Sequence, residues 1–287
     1  AGKTKGIMTL IKSIIPLLGG ILKQKEMTDA VLSLLALIIE RDASYVSVYN
    51  KEGIIDYIFT IMTNAHFALN LNIIKILITL TESNEIGFNE IIKMKLIDKI
   101  NFLIQTDSDS NSIYIEYSIE LFYDLLYKLN EYKKNNFIKK LDKDTYKKKF
   151  ANLIENVATN FKLCIRLIGD DSNVGTQERA CMCIVFLLQL FPEYYIESLK
   201  IYLKFTSEDI PNLLKGLELS CARIHKKMIK IFIWIIQFQN DAESLLKPYV
   251  SYITTYLENI CNTSADPDVI QHAQKFMNED LKKLKKK

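Results

Sequence analysis

The chain has 287 residues, 49% of them hydrophobic and 25% charged, which is the profile of a water-facing globular chain long enough to bury a large core without disulfides or structural metals. Its 37 basic and 34 acidic residues leave a net charge of +3, too small an excess for a dedicated nucleic-acid binder, so a nucleic-acid partner is not expected. Nine glycines and five prolines are few for this length, and both residues break helices, so long uninterrupted helices are expected.

The opening AGKTKG carries no initiator Met and no signal-peptide core, and it reads as the start of a fragment. GKTKG lacks the spacing of a phosphate-binding loop and has no strand before it. The first predicted helix is MTDAVLSLLALIIE, Met27 to Glu40, with apolar residues at 31, 34, 35 and 38. The stretch Val31 to Ile39 is too short to cross a membrane. A short helix, ASYVSVYN, and a turn at Gly53 lead to a second helix, IIDYIFTIM. The same order then recurs. ALNLNIIKILITLTE, Ala68 to Glu82, has apolar residues at 71, 74, 77 and 78, again a helical spacing. NEIGFNEI and LIDKINFLI follow it.

The recurrence has a period of 42. Leu35 falls on Leu77, Ile38 on Leu80, Glu40 on Glu82, Ile55 on Ile97, Asp56 on Asp98 and Ile58 on Ile100. A third copy places Ile119 on Leu77. Abundant isoleucine would explain some of these pairs, but not acidic residues in register. Lys95 stands where the first copy has Gly53, so the second turn is expected to differ from the first. Further helices are predicted at 113–131, 144–169, 175–191, 193–205, 208–218, 219–239, 241–262 and 267–284, with Pro192, Pro211 and Pro267 near helix starts. TDSDSNS and GDDSNVG read as polar loops. VFLLQLFPEYY echoes IWIIQFQNDAE at an offset of 48.

SLLALIIERDASYVSVYNKEGIIDYIFTIM resembles the armadillo family: a long third helix, a short first helix, a glycine, and the second helix of the next unit. The resemblance is clearest over 27–130 and loosens towards HEAT-type repeats over 150–287, with a basic insertion at about 132–149. It implies an all-α, right-handed solenoid across one repeat domain, 1–287, with third helices lining a concave groove. LLALIIERDASYVSVYNKEG and ILITLTESNE also resemble, more narrowly, the repeats appended to Fused-type and Unc-51-like kinases. That would imply a regulatory or docking region at cilia or the cytoskeleton.

Catalytic patterns are missing. His66, His225 and His272 are far apart, and no metal-ligand or nucleophile spacing surrounds them. Cys164, Cys181, Cys183, Cys221 and Cys261 form no CxxC pair and are expected as buried free thiols of a cytoplasmic protein. Neither an enzyme nor a cofactor is expected. The candidate partner-binding residues lie on two helices. Glu116, Glu120 and Asp124 form an i, i+4, i+8 acidic stripe flanked by Tyr114, Tyr117, Tyr123 and Tyr127, suited to a Lys- or Arg-bearing partner. They also fit a solvated outer face with core tyrosines. Arg223, Lys226, Lys230 and Trp234, the only tryptophan, form a basic stripe ending in an aromatic, suited to an acidic or amphipathic peptide unless Trp234 is core. Lys139, Lys140, Lys147, Lys148 and Lys149, with the terminal lysines, are a solvated loop and tail or a surface for an acidic cytoskeletal or membrane partner. A protein or peptide held in the groove is the expected ligand, with cytoskeletal attachment through the lysines as the alternative.

Overall fold

The computed structural model describes residues 2–24, 28–63, 69–106, 113–134, 160–170, 173–190 and 203–285. Among them there are helices and turns and no strand. The helices are α1 (Gly2–Leu22), α2 (Thr28–Arg41), α3 (Val46–Lys51), α4 (Ile54–Met62), α5 (Leu71–Glu82), α6 (Phe88–Lys93), α7 (Leu96–Thr106) and α8 (Ile113–Lys134). After α9 (160–169) come α10 (Val174–Leu190), α11 (Ile210–Glu218), α12 (Ala222–Phe238), α13 (Ala242–Leu246), α14 (Val250–Thr263), α15 (Pro267–Lys275) and α16 (Leu281–Lys285).

The period of 42 is visible in the packing. Helices α3 and α6 start 42 residues apart, as do α4 and α7. Leu35, Leu77 and Ile119 are all fully buried, one on each of α2, α5 and α8. Ile55 and Ile97, and Ile58 and Ile100, are buried in the same way on α4 and α7. The offset of 48 holds too: α10 and α12 are both 17 residues long and begin and end 48 residues apart. Helices α2, α5, α8, α10, α12 and α15 each pack on the next and form one continuous row. Each helix has apolar residues on the sides that meet its neighbours, so stacking merges them into one core. Tyr49 ties the row to the layer behind it, its hydroxyl donating to the Leu35 carbonyl at 2.7 Å.

Local chemistry sets the boundaries. Asn70 accepts from the Ile73 amide at 2.9 Å and starts α5 three residues later than the spacing predicts. Pro211 and Pro267 stand in the first turns of α11 and α15, where a missing N–H costs little. Gly216 lets α11 close onto α9: a Cβ there would meet the Ile168 side chain at 2.8 Å.

Several expectations need correction. Lys95 does not change the turn. It takes the left-handed conformation, φ +49°, where Gly53 has φ +66°. The repeat geometry overrides the side-chain preference, at a cost of about 1–2 kcal/mol. Lys95→Gly is therefore expected to raise stability by about 0.5–1 kcal/mol, after the extra unfolded-state entropy of glycine is subtracted. A urea midpoint that falls would contradict this. The predicted helix 241–262 is broken, because Pro248 lies in a 3-10 turn, Lys247–Tyr249, between α13 and α14. Residues 203–206 are not helical, so the helix predicted at 193–205 does not reach 205, and its remainder lies outside the described residues. Helix α8 runs to Lys134, three residues into the expected insertion. Helix α1 has no counterpart among the predicted elements, and it absorbs GKTKG into its first turns. Helix 267–284 is interrupted by one π turn, Phe276–Asp280. Pro192 and the whole of 144–159 lie outside the described residues.

Candidate functional site

The solvent-exposed side of the helix row carries most of the candidate residues. On α8, Glu116, Glu120 and Asp124 are half-buried and share one face with Tyr127, which is exposed. The stripe is not unopposed. Arg179, on α10, donates to Glu120 Oε1 at 2.7 Å. Burial still pushes the Glu120 carboxyl above its usual range, and Glu82 adds to that while Arg179 opposes it. Asp124 is pushed up further, to about 7, first by burial and then by the charges of Glu82 and Glu120. Its Oδ2 is buried and accepts no hydrogen bond.

The repeat explains why Glu82 is there. Glu40, Glu82 and Asp124 are successively 42 residues apart, on α2, α5 and α8. One carboxylate is thus placed at the same position on three adjacent helices. Lys75 pairs with Glu40 at 3.3 Å and lies 4.8 Å from the centre of the Tyr117 ring, whereas the cations that act on Asp124 are Arg179 and Lys128. Tyr117 donates to Glu40 Oε1 at 3.3 Å. Lys128 donates to the Asn84 side chain instead of to a carboxylate. In the sequence, Asp124 lies one further step of 42 beyond the Glu40–Glu82 match, so the period itself joins the acidic stripe to the repeat. Arg179 carries no such signal, because its partner Glu120 is 59 residues away.

Further along the row the surface turns aromatic. Tyr123 stacks on Phe186, with ring centres 5.6 Å apart, and Tyr127 tilts over the same ring at 6.1 Å. Phe186 and Trp234 are 48 residues apart and occupy equivalent positions on α10 and α12. Trp234 is half-buried, not core, and rests against Phe205 and Phe238. Beside it lies a shallow pocket of about 460 Å³ lined by Leu203, Lys204, Trp234, Phe238, Gln239, Asn240 and Asp241. Tyr114 is exposed at the start of α8.

Two cations of the basic stripe have partners within the chain. Lys226 pairs with Asp268 on α15, and Arg223 pairs with Glu178 on α10 at 3.3 Å. Lys230 is half-buried, and its charge, with that of Lys226, helps burial hold the Lys227 ammonium below its usual range. Lys139, Lys140, Lys147, Lys148 and Lys149 lie outside the described residues, as does His66.

The remaining titratable groups are not gathered into a site. Among the described residues no group of three or more His, Cys, Asp or Glu is placed to hold a metal ion. His225 is buried, and burial lowers its basicity while the backbone of Leu219 and Leu217 opposes the shift. His272 sits on the surface, its Nδ1 3.1 Å from Asp268 Oδ1. Cys164, Cys181 and Cys183 are buried, and burial pushes the Cys181 and Cys183 thiols far up. Cys221 and Cys261 are only half-buried, against expectation. No described helix is long and apolar enough to cross a membrane.

Solved structures similar to the chain include two designed or engineered proteins. One is an engineered protein, at 15% identity and a TM-score of 0.54, with 94% of this chain and 97% of that one covered. The other is a designed armadillo repeat protein in complex with the peptide (KR)4, also at 15% identity and TM-score 0.54, with 92% and 98% covered. No family model and no curated protein matches the chain. At this identity the likeness shows the fold: an all-α solenoid of armadillo-like repeats. Neither neighbour bears on the narrower resemblance to kinase-appended repeats.

Proposed function

We propose that the protein is a non-enzymatic interaction scaffold that holds an extended, Lys- or Arg-containing segment of a partner along the exposed side of its helix row. The observation that carries this reading is the carboxylate ladder Glu40–Glu82–Asp124, reinforced by Glu116 and Glu120. Adjacent helices in such a row lie about 8–10 Å apart, and an extended chain advances about 3.3 Å per residue. One rung therefore meets every second or third residue of a peptide, a spacing that alternating side chains match. A bound cation beside Asp124 would replace repulsion by attraction. The aromatic section at Tyr127, Phe186 and Trp234 would take the apolar residues that follow. The designed neighbour's complex with (KR)4 supports the same chemistry on the same fold.

The test is fluorescence anisotropy with a labelled peptide of alternating Lys and Arg, and an acidic peptide as control. Glu82→Lys with Asp124→Lys is expected to weaken the basic peptide at least about 10-fold, since each reversed charge within about 4 Å of a partner charge costs on the order of 1 kcal/mol or more near a surface. Trp234, the only tryptophan, supplies an independent reading: its emission shifts if the peptide reaches α12. Neutralising lysines 147–149 and 285–287 should leave the affinity unchanged. The reverse pattern, loss with the lysines and none with the carboxylates, would instead favour an acidic cytoskeletal or membrane surface as partner, the role that a ciliary kinase-associated repeat region would have.

A further inference from the structure

The carboxylate ladder ends at an ion pair. Arg179 on α10 holds Glu120 of α8 at 2.7 Å, and beyond it the exposed side of the row changes sign. Lys227 follows Arg179 by 48 residues, as Trp234 follows Phe186. A cation and an aromatic ring on α12 therefore repeat the two positions that α10 fills. Two nearby cations on α12 are committed within the chain, Arg223 to Glu178 and Lys226 to Asp268. Lys227 and Lys230 are not. Both are half-buried on the solvent side of α12, and neither makes an ion pair among the described residues. Burial holds the Lys227 ammonium below its usual range, the charges of Lys230 and Lys226 add to that, and Glu178 opposes it. This is the counterpart, with the sign reversed, of Asp124 on α8, which burial, Glu82 and Glu120 push up.

We propose that the partner segment is bipolar: Lys or Arg residues lie over α2, α5 and α8, Asp or Glu residues lie over Lys227 and Lys230 on α12, and apolar side chains between them meet Phe186 and Trp234. The proposal rests on the reading of the row as a surface for a basic segment, and adds to it the charge order of that segment. Helices α8 and α12 are two places apart in the row, about 16–20 Å at the usual helix spacing, which about five or six extended residues bridge. The acidic residues are therefore expected about five or six positions from the cation that meets Asp124. A wholly basic segment that covers the ladder and reaches α12 would bring its last cations against Lys227 and Lys230. The change of sign also fixes register. The rungs Glu40, Glu82 and Asp124 are alike, so the ladder alone would accept a basic segment displaced by one helix.

Fluorescence anisotropy of the full chain tests this with labelled peptides of about twelve residues, the length that spans α2 to α12. One carries a Lys/Arg block, an apolar spacer and two glutamates. A second has the blocks in reverse order, since the direction of the bound chain is open. Each has a counterpart with glutamine in place of glutamate. One block order is expected to bind at least about 5-fold more tightly than its glutamine counterpart, the effect of two half-exposed charge pairs. Lys227→Gln with Lys230→Gln should abolish that gain and leave the affinity for the glutamine peptide unchanged. If neither order gains from its glutamates on the wild type, the bipolar segment is overturned without recourse to any variant. The basic surface still stands in that case if Glu82→Lys with Asp124→Lys weakens the glutamine peptides. If those peptides bind the wild type and that carboxylate variant equally, or bind neither, both readings fail together. A gain that survives the double glutamine variant places the anion elsewhere and overturns the proposal. So does a gain that appears only when phosphoserine replaces the glutamates, which would make α12 a phosphate reader.

Discussion

Leu77→Ala is expected to destabilise the protein by about 2–5 kcal/mol, the range for removing a large aliphatic side chain from a packed core. Leu77 is fully buried on α5, between α2 and α8 in the helix row, and it is the middle member of the set Leu35, Leu77, Ile119. In a solenoid each unit contacts only its neighbours, so a defect in the middle weakens two junctions at once. The loss should be matched by Leu35→Ala, because α2 is likewise flanked on both sides, by α1 and α5. Urea denaturation of the two variants decides the point. A neutral Leu77→Ala, or a neutral Leu35→Ala beside a large loss at Leu77, would mean that the register of 42 does not describe the energetics.

The second large effect is tied to pH. Asp124 titrates near 7 in the folded protein and far lower when unfolded, so the folded state binds its proton more tightly. Stability from this group is fully present below the unfolded pKa. It is lost as pH rises to about 7 and beyond, since the buried charge is then forced on the folded state. Asp124→Asn removes that penalty. It should leave stability at about pH 4 nearly unchanged and raise it at pH 8 by about 2–4 kcal/mol, the order of a shift of this size. Peptide binding should move the opposite way. A bound Lys or Arg favours the ionised carboxylate, so the wild type should bind a basic peptide more tightly at pH 8 than at pH 6. In Asp124→Asn that pH dependence should flatten and the affinity at pH 8 should drop. A variant no more stable than the wild type at pH 8 would show that the site relaxes around the charge.

These two residues also show what was legible in the sequence. Leu77 could be read because burial follows the helical period and the repeat supplies independent copies of the same position. Glu40 and Glu82 were legible as a match, and Asp124 as part of a stripe, for the same reason. Interactions between helices were not. Arg179 reaches Glu120, and Lys226 reaches Asp268, across separations that no local pattern announces. Lys95 was misjudged because side-chain preference predicts a different turn, whereas the packing of α6 and α7 holds the left-handed one. Helix α1 was missed because Pro16, Gly19 and Gly20 break its propensity, while its stability comes from Ile15, Leu18 and Leu22 packing on the rest.

The five cysteines also make the chain a clock for its own opening. Only the thiolate reacts with an alkylating reagent, and in Cys181 and Cys183 burial suppresses both ionisation and access. Their labelling therefore waits for α9, α10 and α12 to separate, whereas Cys261, half-buried on α14, reacts after a smaller displacement. Followed by mass, the order of alkylation reads out how unfolding travels along the row, repeat by repeat.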